Sequence, residues 1–306
     1  MKYAWLFPGQ ASQYVGMGKD IFDHTDLGEH YFERANDIME YDIQSIIFNG
    51  PKEKLKQTQY TQPAIYIVSV ILGELLKAKG FTPNAVAGHS LGEYSALAVA
   101  KVFDFETGLS IVKVRADSMA KAGENQEGSM AAIVGLNDDD ITGLCNNYSE
   151  NGVVVAANYN SPGQVVISGS PKAVESVMDS AKSSGARMTV KLNVSGAFHS
   201  PLMAPAREAL AEMLDSLEIS NSLFPVFTNV DAKPVTQGNE IKDSLIRQLE
   251  NPVLWSKSIL SMKESGVKSF VEVGPGKVLQ GLNKRIDREI LSQGVESFDQ
   301  MGNFNV

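Results

Sequence analysis

Gly88-His89-Ser90-Leu91-Gly92 has the spacing G-x-S-x-G. Ahead of it lies the short apolar run Ala85-Val86-Ala87, and behind it the Ala-rich, helix-forming stretch 93–100. A serine on a sharp turn between a strand and a helix is raised out of the C-terminal end of a sheet. The N–H groups and the helix dipole behind it face any oxyanion that forms. The bare pattern is common; the flanking elements are what point to Ser90 as a nucleophile.

A serine hydroxyl needs a base. The chain has four histidines, His24, His30, His89 and His199. His89 adjoins the serine, so its side chain should point elsewhere around the turn. His24 and His30 sit in a polar helical region and read as surface. His199 lies in the loop Gly196-Ala197-Phe198-His199-Ser200-Pro201 and remains as the base by elimination. Enzymes with this serine turn usually place an acid between Ser and His in sequence. No Asp at a strand end does so here, and a neutral group such as a backbone carbonyl is expected to orient the ring.

Arg115 is the most informative charge. Projected at roughly 100° per residue, the helix from 106 to about 122 puts Glu106, Lys113, Asp117 and Lys121 on one arc. Arg115 falls nearly opposite, between Ile111 and Met119. A buried cation needs an anionic partner. Two partners stay open: an internal Asp or Glu, or a carboxylate of the substrate held by the guanidinium fork. Phe7-Pro8-Gly9-Gln10 ends the first strand in a tight turn that could offer a second oxyanion N–H.

The elements that must position these groups read as an α/β fold. Strands are expected over 3–7, 85–87, 226–229 and 269–273, with helices between them. An apolar helix starts at Pro63 and ends near Gly80. Residues 124–195 differ from the rest. Strands over 130–136, 153–157, 164–168 and 187–192 alternate with helices from Asp138 and Pro171, and a turn is expected around Asn160-Ser161-Pro162-Gly163. That order, β-α-β-β-α-β, is the ferredoxin-like pattern. The expected organisation is a hydrolase-like core with a parallel sheet, formed by 1–123 and 196–306, and an inserted small domain over 124–195. The last ten residues read as a loose tail.

Composition excludes several classes. The 306 residues carry a net charge of −9 and no long basic run, which argues against nucleic-acid binding. The single cysteine, Cys145, forbids an intrachain disulfide and reads as a small buried hydrophobe. The apolar start, Met1 to Phe7, is stopped by Pro8-Gly9 before it reaches the length of a secretory segment, and no run suffices to span a bilayer. A cytoplasmic protein is expected. The histidines are scattered, and no metal-ligand cluster is visible.

The motifs together resemble a known family. Phe7-Pro8-Gly9-Gln10-Ala11-Ser12-Gln13, Thr61-Gln62-Pro63-Ala64, Gly88 to Glu93, Arg115, Asn158 to Gln164, Gly196 to Ser200 and Glu272-Val273-Gly274-Pro275-Gly276 stand in the order typical of malonyl-CoA:acyl-carrier-protein transacylases. The resemblance covers nearly the whole chain. It implies Ser90 as nucleophile, His199 as general base, the N–H groups of Gln10 and Leu91 as oxyanion hole, and Arg115 on the malonyl carboxylate. Gln248 would orient His199 through its main-chain carbonyl. Gln62, Met119, Asn158 and Asn160 would line the substrate cleft. The Gly-Ala-Phe-His form around His199 is similar to that of malonyl-type members. No cofactor is implied: coenzyme A arrives as a thioester substrate and the partner is an acyl carrier protein, met by a monomer with no nucleic acid or membrane partner.

Three other readings compete. An esterase or lipase would share Ser90 and His199 but would want a carboxylate partner for the His and no inward Arg. A loading acyltransferase of a polyketide line would carry nearly the same motifs. A carrier-binding module without catalysis would need no Ser90, His199 and Arg115 together. Carrier docking is expected on a local basic patch drawn from Lys277, Lys284, Arg285 and Arg288, with Arg187 and Lys191 on the insert.

Overall fold

The computed structural model describes residues 2–304. Ten strands form two sheets among the described residues. The larger sheet contains β1 (Tyr3–Phe7), β2 (Ala85–Gly88), β7 (Val226–Phe227), β8 (Pro234–Val235), β9 (Ser269–Val273) and β10 (Leu291–Val295) in the order β10-β9-β1-β2-β7-β8. All pairings are parallel except β7 with β8. Period-2 alternation divides β1 between two cores. Trp5 and Phe7 pack under the helices Thr58–Ala78 and Gly92–Val99 on one face; Ala4 and Leu6 pack with Trp255, Ile259 and Leu282 on the other. Both faces are covered, so the central parallel strands β1 and β2 read as unbroken apolar runs. The helix Gly92–Val99 is buried on every side, which explains its lack of a polar stripe.

The second sheet is antiparallel: β3 (Ser129–Val134), β4 (Val154–Ser161), β5 (Gln164–Gly169) and β6 (Met188–Lys191), in the order β4-β5-β3-β6. Helices Asp138–Asn146 and Pro171–Ser183 cover one face, closing a core of Ile133, Ile141, Val165, Ile167 and Val177. Cys145 lies in this core, and burial pushes its thiol up to about 12. The other face turns Met130, Ala132 and Val166 toward the larger sheet. β4 is tied to the larger part by two backbone bonds of 2.9 Å, from Tyr159 N–H to the Val253 carbonyl and from Val253 N–H to the Ala157 carbonyl.

Several boundaries differ from the sequence reading. The apolar helix starts at Thr58, so Pro63 lies inside it. Its first turns are polar by composition yet buried, because Thr58, Thr61 and Gln62 face protein; hydrophobicity does not signal such a start. β4 runs on to Ser161 with two bulges, so Asn160 stands on the strand and not in the turn. β8 went unread because two residues beside Pro give no pattern. β10, unread in the sequence, extends the sheet at its edge. Of the last ten residues, those described are not loose, since the helix Phe298–Gly302 forms there and Met301 and Phe304 are buried, while 305–306 lie outside the described residues. Phe298 stacks on His24 at 5.2 Å, and Gly276 N–H donates to Glu296 at 2.9 Å. Among the described residues no helix is long and apolar enough to cross a membrane.

Candidate active site

Ser90 stands at the end of β2 with φ 51°, in the left-handed region that a residue with a Cβ enters at a cost of about 1–2 kcal/mol. The strain therefore falls on the serine itself. The neighbouring glycines meet a different demand, that of close approach. A Cβ on Gly88 would sit 1.8 Å from the Gly92 carbonyl carbon, and one on Gly92 would sit 2.0 Å from the Phe7 carbonyl oxygen. Asn229, just beyond β7, holds the turn: its Oδ1 accepts from Ser90 N–H and its Nδ2 donates to the Gly88 carbonyl, both at 2.7 Å. Sequence reasoning missed Asn229, which looked like the last residue of a strand; no local signal marks a side chain that reaches across 139 residues.

His199 is buried and also sits in the left-handed region, at φ 57°. Its Nδ1 lies 2.8 Å from the Gln248 carbonyl and its Nε2 lies 2.8 Å from Ser90 Oγ. A carbonyl only accepts, so Nδ1 carries the proton. Nε2 is then the acceptor, and the Ser90 hydroxyl donates to it. Burial first, and then the positive charge of Arg115, brings the His199 pKa down to about 3. The ring is thus neutral at neutral pH, with Nε2 unprotonated and able to accept a proton. His89 points away from the hydroxyl, with Nε2 2.8 Å from Asn160 Oδ1. His24 and His30 are exposed and remote.

Arg115 is fully buried on the helix Phe105–Asn125. Its Nη1 donates to Gln62 Oε1 at 2.5 Å; its Nη2 donates to Gln248 Oε1 at 2.9 Å and to Ser90 Oγ at 3.0 Å. All three partners are neutral, and Arg115 forms no ion pair among the described residues. The guanidinium also lies 5.2 Å from the centre of the Tyr94 ring. A buried cation held only by neutral groups, beside a nucleophile, retains its attraction for an incoming anion.

These groups open on a cleft of about 560 Å³ between the two sheets. Gln10, Gln62, Ser90, Leu91, Arg115, Met119, Asn158, Asn160 and His199 all line it. Gln248 lies behind the wall, fully buried. Gln62 Nε2 also reaches Met119 Sδ at 3.4 Å. The backbone N–H groups of Gln10 and Leu91 have no acceptor among the described residues. Asn158 and Asn160 on β4 both face the cleft, Asn160 at the bulge between Tyr159 and Ser161. Lys277 and Arg285 stand on the lining, and Arg285 donates to Gln164 at 3.0 Å. Lys191 does not join them. Alternation along β6 places it toward the helix Pro171–Ser183, in a separate hollow with Glu175, Asp179 and Lys182. No group of three or more metal-ligating side chains occurs among the described residues.

The arrangement can take a proton from Ser90, hold an oxyanion and bind a carboxylate. Comparison with known proteins agrees with that chemistry. The model of the acyl transferase domain matches residues 4–302. A malonyl CoA-acyl carrier protein transacylase of Escherichia coli is 44% identical over 286 residues, 93% of each chain. A crystal structure of an acyl carrier protein S-malonyltransferase from Vibrio cholerae superimposes with a TM-score of 0.95 at 40% identity, covering 99% of both chains. A type II PKS acyl-carrier protein in complex with its malonyl-transacylase gives a TM-score of 0.95 at 38% identity, over 99% of this chain and 98% of the transacylase.

Proposed function

The chain belongs to the acyl transferase domain family, and from that premise we propose that it is a malonyl CoA-acyl carrier protein transacylase, which supplies malonyl groups for fatty-acid synthesis. The observation that supports this substrate is Arg115, buried 3.0 Å from Ser90 Oγ without an anion of its own.

His199 Nε2 takes the Ser90 proton as Oγ attacks the thioester carbonyl. The N–H groups of Gln10 and Leu91 receive the oxyanion. The intermediate collapses, the C–S bond breaks, and coenzyme A leaves with the proton from His199. The malonyl carboxylate meanwhile rests on Arg115. In the second half, His199 takes the proton of the carrier's phosphopantetheine thiol, and the thiolate attacks the ester. Ser90 leaves and recovers its proton. Gln248 holds His199 in the tautomer that both halves need. Gln62, Met119, Asn158 and Asn160 shape the cleft. The reaction needs no cofactor beyond its substrates.

We read 1–123 and 196–306 as a hydrolase-like core and 124–195 as a ferredoxin-like small domain. The strand order β4-β5-β3-β6 and the crossing helices support the second reading. A cytoplasmic monomer acting on a soluble carrier fits this reading. An esterase fits less well, because His199 leans on a carbonyl and the cleft carries a buried cation.

Arg115→Ala tests the substrate. With acetyl bound, the guanidinium would stay desolvated without an anion, and that penalty rejects acetyl. Two charge-assisted bonds of about 1.5–3 kcal/mol each give roughly 10²-fold discrimination or more. The ratio of kcat/KM for malonyl-CoA over acetyl-CoA should fall by that factor in Arg115→Ala. Arg115→Lys should recover part of it, because an ammonium cannot copy the fork. An unchanged ratio would make Arg115 a structural residue.

The carrier surface can be narrowed. Carriers of this kind are acidic, and a net charge of −9 repels them, so attraction must be local. Lys277 and Arg285 at the cleft, with exposed Lys284 and Arg288 nearby in the chain, are the best candidates. Reversing these four charges should raise KM for the carrier and leave KM for malonyl-CoA unchanged. Unaltered carrier kinetics would move the docking surface elsewhere.

A further inference from the structure

Glu93 follows Ser90 by three residues and has no task in the chemistry above, yet it is fully buried in an apolar helix. Burying a carboxyl is costly unless its oxygens are used. Oε2 accepts from the backbone N–H of Asn229 at 3.1 Å and from Gln248 Nε2 at 2.8 Å. Gln248 is the one side chain that also touches Arg115, through Oε1 at 2.9 Å, and the Ser90 carbonyl, through Nε2 at 3.0 Å.

An amide can lie in its pocket two ways round, with nitrogen and oxygen exchanged. In the observed orientation the NH₂ meets two acceptors, Glu93 Oε2 and the Ser90 carbonyl, and the oxygen meets a donor on Arg115. Exchanged, the oxygen would face two acceptors and the NH₂ would face the guanidinium. A carboxylate at 93 has no donor to offer the exchanged form, so it locks the first. We propose that Glu93 is a positioning residue for recognition of the substrate carboxylate: it fixes the amide of Gln248, and Gln248 fixes the plane of the Arg115 fork beside Ser90. The inference rests on the reading of Arg115 as the carboxylate site.

Burial pushes the Glu93 carboxyl up to about 7, against the pull of Gln248, Asn229 and Arg115. The lock belongs to the ionised carboxylate; a protonated carboxyl has a donor to offer and would release it.

The test is the malonyl to acetyl ratio of kcat/KM in Glu93→Ala, Glu93→Gln, Gln248→Ala, the double variant Glu93→Ala with Gln248→Ala, and Arg115→Ala, each checked for native circular dichroism. A fork displaced by about an ångström loses on the order of ten- to a hundredfold. Glu93→Ala should lower the ratio by that amount, and Glu93→Gln by less, because its amide still offers an acceptor but permits both orientations. The double variant should match Gln248→Ala alone, since one residue acts through the other. A residue that served only folding would lower both substrates equally and leave the ratio where it was. An unchanged ratio in folded Glu93→Ala overturns the inference, as does an additive double variant. Where Glu93→Ala does not fold, an unchanged ratio in Glu93→Gln overturns it equally. If Arg115→Ala itself leaves the ratio unchanged, the reading of Arg115 fails, which is a separate result.

Discussion

Ser90→Ala is expected to lower malonyl transfer by about a millionfold, the scale seen when the nucleophile of a serine triad is removed. The whole route runs through one oxygen. Ser90 Oγ is the atom that lies both 2.8 Å from His199 Nε2 and 3.0 Å from Arg115 Nη2, at the end of a β2 strand whose turn is held by Asn229. No other hydroxyl is recorded against the His199 ring among the described residues. The measurement is intact mass after incubation with malonyl-CoA alone. The first half-reaction needs no carrier, so the wild-type chain should gain one malonyl group and keep it until a carrier thiol arrives. Ser90→Ala should gain none. An equal adduct on the variant would place the acyl group on another residue and end the serine mechanism.

His199→Ala should cost about 10²–10⁴-fold, the usual range for loss of a general base, with the fold intact. Its pH behaviour follows from the site. The pKa of the free enzyme is held near 3 by burial and by Arg115, against an ordinary 6.5. The value of kcat/KM for malonyl-CoA should therefore stay flat as pH falls through 6.5 and decline only well below it. In the acyl-enzyme a carboxylate rests on Arg115 and cancels the second of those causes. The acid limb of kcat with carrier saturating should then lie higher than that of kcat/KM. Stability shares the sign. Below 6.5 the unfolded chain takes up a proton at residue 199 that the folded chain refuses. The contribution of this group is present above 6.5 and is lost progressively as pH falls toward about 3. A limb for kcat/KM at the ordinary histidine value would show that His199 is neither buried nor close to the guanidinium during catalysis.

Much of this was legible in the residues. The strand-turn-helix around Ser90, the helical projection that turned Arg115 inward, and the removal of three histidines in favour of His199 all follow from local rules: period 2, period 3.6, and the steric demand of a G-x-S-x-G turn. The lack of an Asp at a strand end between Ser90 and His199 led to a neutral partner for the ring, and a carbonyl is what lies against Nδ1. The order of strands and helices over 129–191 was readable for the same reason, since each element buries one face of its own sequence.

What the residues alone left open is long-range. Whether Arg115 pairs with an internal carboxylate or waits for an external one depends on which side chains 25 to 133 residues away meet it, and these are Ser90, Gln62 and Gln248. The left-handed backbone at Ser90 and His199 is imposed by packing on both sides and has no signature in a Ser or His. The part played by Asn229 and Glu93 arises because β7 and the helix Gly92–Val99 converge behind the turn. Lys191 looked available to the cleft until the pairing of β6 with β3 fixed its face. β10 was not read as a strand because an edge strand of Leu, Ser, Gln, Gly and Val has no alternation to read, and only the open edge of β9 gives it a place. The sequence determined which groups could react and on what local turns they sit; the tertiary structure decided which of them meet, because hydrogen-bond partners and burial are properties of contacts between distant segments.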